Sequence, residues 1–80
     1  MSDTKLEYVC DHERHLICLP LTHENLHRMA DDLNIKRGWF HNGEKYPHYD
    51  MPKLRVSEIS RKCRVVSPEE LLELALASAQ

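Results

Sequence analysis

Six histidines stand in a chain of 80 residues, four of them in its first half (His12, His15, His23 and His27). The other two, His41 and His48, bracket a stretch that begins Trp39-Phe40-His41 and ends His48-Tyr49-Asp50. Imidazole can ligate a metal, hold a phosphate or carry a proton near neutral pH. A domain this small has no packing need for so many imidazoles beside Trp, Tyr and Asp. The pattern implies a polar site.

Three local arrangements could carry its chemistry. His23-Glu24-Asn25-Leu26-His27 matches His-Glu-x-x-His, in which two imidazoles one helical turn apart hold zinc and the glutamate activates water. Here the motif opens its helix, and the ~53 residues after it leave little room for a substrate cleft. It therefore reads better as a boundary pair, with His27 alone kept as a site residue. In His48-Tyr49-Asp50 a carboxylate two residues from an imidazole could orient it, join it on a metal, or cap the following helix. Lys36-Arg37 before Trp39-Phe40 could hold a phosphate while an aromatic ring stacks on a base.

The elements that must position these groups are short. Lys and Arg total 11 against 13 Asp and Glu, a net charge of −2 without the basic excess of a general nucleic-acid binder. Hydrophobic residues at 41% and charged residues at 30% suit one folded domain. A local basic patch remains open around Lys36, Arg37, Lys53, Arg55, Arg61, Lys62 and Arg64. Cys10, Cys18 and Cys63 include no Cys-x-x-Cys pair and lie in or beside apolar runs, as reduced thiols do. The expectation is a cytoplasmic protein with no membrane partner, because no window approaches the ~20 apolar residues of a span.

Leu6–Cys10 alternates and His15–Leu19 is apolar up to Pro20, so both read as strands. Thr22 caps a helix reaching about Leu33, with Leu26, Met29, Ala30 and Leu33 on one face and Asn34 as its left-handed stop. Residues 35–50 read as a long loop with at most a brief strand at Trp39-Phe40. Pro52 opens a second helix carrying Leu54, Val56, Ile59 and Cys63. Arg64–Val66 is a short strand. Ser67-Pro68-Glu69-Glu70 reads as a capping box opening a last helix with Leu71, Leu72, Leu74, Ala75 and Leu76. The fold class is α/β, one small domain with about three strands and three helices, loose at 1–5 and 78–80.

Arg37-Gly38-Trp39-Phe40-His41 followed by His48-Tyr49-Asp50 resembles the small bacterial and phage family called domain of unknown function 4031. The likeness runs from Tyr8 to about Leu72 and includes Tyr8-Val9-Cys10-Asp11, His15-Leu16, Leu26-His27-x-Met29-Ala30 and Val65-Val66-Ser67. It implies site positions at Asp11, His15, His27, Trp39, His48 and Asp50, and leaves His23 outside the pattern. The family often has a second aspartate where this chain has Cys10, and arginine where it has Gly38.

Three functions fit these residues. First is a binding module for a small phosphorylated ligand such as a nucleotide or nucleotide signal. Asp11, His15, His27, Arg37, Trp39, His48, Tyr49 and Asp50 would form its pocket. Second is a protein-interaction module inhibiting a host enzyme, with the leucine-rich last helix as a homo-oligomer surface. Third is a metal-dependent hydrolase or nuclease, its divalent metal held by His15, His27, His48 and Asp50. Binding ranks above catalysis, and nucleic acid is not the expected partner.

Overall fold

The computed structural model describes residues 5–43 and 45–78. The expected loose ends therefore fall almost wholly outside the described residues. Strand β1 (Glu7–Cys10) pairs antiparallel with β2 (His15–Leu19) in a register running from Glu7 opposite Leu19 to Cys10 opposite Leu16. Pro20 ends β2. Helix α1 (His23–Asp32) follows, and the Thr22 hydroxyl accepts the Asn25 N–H at 3.0 Å. Leu26, Met29 and Ala30 are buried along one face, and Asn34 stops the helix at φ 59°. That handedness suits a short polar side chain.

The stretch read as a long loop is instead the outer half of the sheet. A 3-10 turn (Arg37–Trp39) leads into β3 (Phe40–Asn42), which pairs antiparallel with β4 (Pro47–Asp50). Asn, Pro and Asp in these strands carry weak β preference, so local sequence hides them. Pairing with β2, His15 opposite Asp50 and Leu16 opposite Tyr49, provides what propensity lacks. β5 (Arg64–Val65) adds a parallel edge beside β1, giving five strands in the order β3-β4-β2-β1-β5 rather than about three.

The second helix is shorter than expected. A 3-10 turn (Lys53–Arg55) precedes α2 (Val56–Ser60), and the Arg55 backbone at φ −113°, ψ 5° separates them. Leu54, expected on the second helix, lies in the 3-10 turn and is 99% exposed. The Arg55 guanidinium reaches back to the Leu33 and Asn34 carbonyls at 2.8 Å, tying this turn to the end of α1.

Helix α3 (Pro68–Ser78) starts as its sequence predicts, with the Ser67 hydroxyl accepting the Glu70 N–H at 3.1 Å. The Glu70 carboxylate does not complete a capping box; it accepts from Arg64 at 3.2 Å. Leu71 and Ala75 are buried, Leu72 and Leu74 are half-buried, and Leu76 is exposed. The three cysteines are free thiols, as expected.

The period of two along each strand sorts side chains between the two faces of the sheet. Cross-strand partners share a face, so Tyr8, Cys18, Leu16, Tyr49 and Phe40 lie together. That face belongs to α1, whose Asp32 accepts from the Tyr8 hydroxyl at 2.9 Å. Val9 and Ile17 point the other way, toward the side where Leu74 and Ala77 of α3 meet Leu19. His15, Asp50, His48 and His41 continue that second face across β2, β4 and β3. None of the four is buried, whereas Val9 and Ile17 are fully so.

Candidate functional site

Asp11 is the fixed point. It follows β1 and is 1% exposed, the one buried charged residue among those described. Its Oδ1 accepts the backbone N–H groups of Glu13 and His15 at 2.9 and 3.0 Å. Its Oδ2 lies 3.0 Å from His15 Nδ1. A carboxylate oxygen accepts, so Nδ1 carries the hydrogen and the His15 lone pair resides on Nε2. Three donors converge on one buried side chain, which holds the turn into β2 and the imidazole together.

His48 reaches the same state by another route. Its Nδ1 lies 3.3 Å from the Tyr46 carbonyl oxygen, which only accepts, so this ring too is hydrogenated at Nδ1. Burial is the largest influence on His48 and pushes its pKa below the ordinary histidine value; the nearby His15 and His41 act the same way, and Asp50 and the Tyr46 carbonyl oppose them. Nε2 of the neutral ring then faces Asp50 Oδ1 across 3.5 Å, an acceptor against an acceptor. The other carboxylate oxygen, Oδ2, is 2.9 Å from His41 Nε2, within ion-pair distance.

The rings form a continuous array. His15 and His48 meet edge to face with centroids 5.2 Å apart, and His41 stacks on His48 at 5.5 Å with 17° between planes. Tyr46 packs on His48 with ring centroids 5.5 Å apart and 58° between planes. His15, Gly43, Lys45, Tyr46 and His48 line a cavity of about 270 Å³. Gly43 is required there: a Cβ would stand 2.9 Å from the Tyr46 carbonyl oxygen and 3.2 Å from His48 Cε1. Larger depressions near Leu19 and α3, or near Tyr8 and Arg64, have no comparable set of imidazoles.

Not all the residues expected at one pocket arrive there. His15 and His48 line it, and Asp11 and Asp50 lie against those two rings. His27 and Tyr49 lie on the opposite face, hydrogen-bonded to each other at 2.7 Å (Nδ1 to hydroxyl), because Tyr49 alternates with His48 and Asp50 along β4. Tyr49 is fully buried and offers no ring to a ligand. A metal set of His15, His27, His48 and Asp50 would have to pass through the sheet. His23 and His27 pack on Phe40, at 5.5 and 5.0 Å between rings. Their His-Glu-x-x-His match thus reflects packing at the boundary of α1.

Arg37 borders a separate depression with Asp31, Asn34 and Lys36 beyond the end of α1. Trp39 is 36% exposed and does not line the His15–His48 cavity. Sequence reasoning missed His41, Gly43, Lys45 and Tyr46. For His41 a signal existed, since a hairpin folding Phe40–Asn42 onto Pro47–Asp50 places His41 beside His48, its observed partner.

The tightest grouping of metal-type donors, Asp11, Glu13 and His15, has one atom of each within 4.8 Å. Both Asp11 oxygens already accept hydrogen bonds, so its carboxylate is committed to holding the turn. Among the described residues no helix is long and apolar enough to cross a membrane. The chain matches no family model, no curated protein and no solved structure.

Proposed function

We propose that the protein is a binding module for a small phosphorylated ligand, a nucleotide or nucleotide-derived signal, seated in the His15–His48 cavity. The observation carrying this is the convergence of two imidazoles, Lys45 and the Tyr46 ring on one cavity built over buried Asp11. A volume of about 270 Å³ is at the low end for ligand sites, which suits a phosphate with one ring better than a long chain. Lys45 supplies fixed positive charge for the phosphate, and Tyr46 takes the stacking role that the sequence suggested for Trp39 or Tyr49.

Kinship with the domain of unknown function 4031 family, and the accessory role it implies, belong to the same proposal. Self-association does too: Leu76 and Val65 are 52% and 57% exposed, and sedimentation at several concentrations tests it. Isothermal titration against a panel of nucleotides and phosphomonoesters, with and without divalent ions, tests the binding reading. Heat abolished by His15→Ala or Lys45→Ala in a folded protein is the expected result. No heat with any member of the panel would end it.

A further inference from the structure

Asp11 and His15 form a unit that ligand binding alone does not use. The Asp11 carboxylate is 1% exposed and is anchored through Oδ1 by two backbone amides, so its Oδ2 has a fixed place behind the imidazole. His15 gives its Nδ1 hydrogen to that oxygen at 3.0 Å, while 35% of its own side chain stays exposed. The two ring nitrogens point away from each other, so the edge turned from Asp11 carries Nε2 and its lone pair. His15 lines the cavity with Lys45, Tyr46 and His48. A buried carboxylate that fixes the tautomer of an imidazole, and leaves its other nitrogen at a cavity, is the arrangement that turns histidine into a base or nucleophile. Neither side chain has to move to reach it.

We infer that His15 Nε2 is a nucleophile that takes a phosphoryl group from a phosphoric anhydride, either an acyl phosphate or the anhydride of a nucleotide. The inference rests on the phosphorylated-ligand reading of the same cavity and adds the reaction. The Nε2 lone pair forms the N–P bond, the anhydride P–O bond breaks, and the carboxylate or phosphate leaves with that electron pair. No proton has to be transferred. The ring keeps its Nδ1 hydrogen, and the positive charge it gains lies against the Asp11 carboxylate, 3.0 Å from Nδ1. Lys45 supplies the cation for the phosphoryl oxygens. The leaving group follows from the hydrogen bonds: the ring N–H groups of His15 and His48 are given to Asp11 and to the Tyr46 carbonyl. Neither imidazole then offers a proton to a departing alkoxide, so the donor is one whose leaving group is stable as an anion, not a simple phosphate ester.

Incubation of the full-length protein with acetyl phosphate, followed by phosphorus–proton NMR and peptide mass spectrometry at alkaline pH, tests the inference. His12 and His23 are exposed and serve as internal controls, because accessibility alone would label them ahead of half-buried His15. His15 should instead be phosphorylated at Nε2, roughly 10-fold or more faster than either control. His15→Gln should lose that label. Asp11→Asn is a positioning variant: by moving the ring hydrogen to Nε2 it should slow labelling at least about 10-fold, with the tautomer change visible in the nitrogen-15 spectrum and the circular dichroism retained. Glu13→Ala should leave the rate unchanged. Labelling of His15 no faster than that of His12 and His23, or attached at Nδ1, overturns the nucleophile, as does an undiminished rate in an Asp11→Asn protein whose tautomer has changed. Calorimetric binding of a phosphomonoester without phosphoryl transfer from acetyl phosphate also overturns it, and leaves the phosphorylated-ligand reading standing.

Discussion

Asp11 gives the sharpest stability prediction, because two substitutions separate what its two oxygens do. Asp11→Ala removes three hydrogen bonds, two from backbone N–H groups of the turn and one from His15, around a carboxylate that is 1% exposed. A hydrogen bond to a charged group is worth about 1.5–3 kcal/mol. Glu13 is exposed and His15 half-buried, so water recovers part of that for the freed turn amides. The expected net loss is about 3 kcal/mol, or roughly 12–24 °C in Tm for a domain of this size. Asp11→Asn keeps an acceptor for both amides and changes only the group facing His15, for a loss of about 1 kcal/mol. It also presents an N–H to His15 Nδ1, so the imidazole should move its hydrogen to Nε2. Urea unfolding measures the first effect and nitrogen-15 shifts of the His15 ring the second. Equal losses in the two variants, or an unchanged His15 tautomer in Asp11→Asn, would refute the assigned roles.

Further predictions follow from other contacts. Tyr49→Phe removes the hydroxyl bonded to His27 and should cost about 1 kcal/mol in urea unfolding, leaving ligand binding intact because it lies across the sheet. Gly43→Ala forces the Tyr46 carbonyl and the His48 ring apart; the His48 Nδ1 resonance should shift and cavity binding should fall, measured by NMR and calorimetry. Burial lowers the pKa of both His27 and His48, so the unfolded chain binds more protons below about pH 6.5. Their contribution to stability is present above that pH and lost as the pH falls, and the urea midpoint should drop between pH 7 and pH 5. At the alkaline end the Tyr8 hydroxyl, pushed up to about 12 by burial and by Asp32, contributes stability that is lost as the pH rises from about 10 to 12.

The parts of the fold legible in the sequence are those where one local signal decides. Thr22 and Ser67 accept amide hydrogens where their helices begin, and Asn34 takes the left-handed turn. Alternation and an apolar run identified β1 and β2. The hairpin of β3 and β4 was hidden because its residues have little intrinsic preference for strands and owe their conformation to partners distant in sequence, His15 and Leu16. That error also obscured the site. Read as a loop, residues 40–50 have no faces, so His48, Tyr49 and Asp50 seemed able to converge. Read as strands, Tyr49 must leave for the α1 side and His41 must join His48. Asp11, His15, His48 and Asp50 were identifiable by type, but His27 was assigned to the wrong side of the sheet. Lys45 and Tyr46 gave no signal because a two-strand turn, absent from the sequence reading, is what brings them to the cavity.

Imidazole carbon–proton NMR during titration with a nucleoside monophosphate bears most directly on the joined face of β2, β4 and β3. Resonances of His15, His48 and His41 should move together, with one midpoint, while His23 and His27 behind the sheet stay in place. Movement confined to His27 and the Arg37 depression, or spread evenly over all six rings, would contradict a single site on that face.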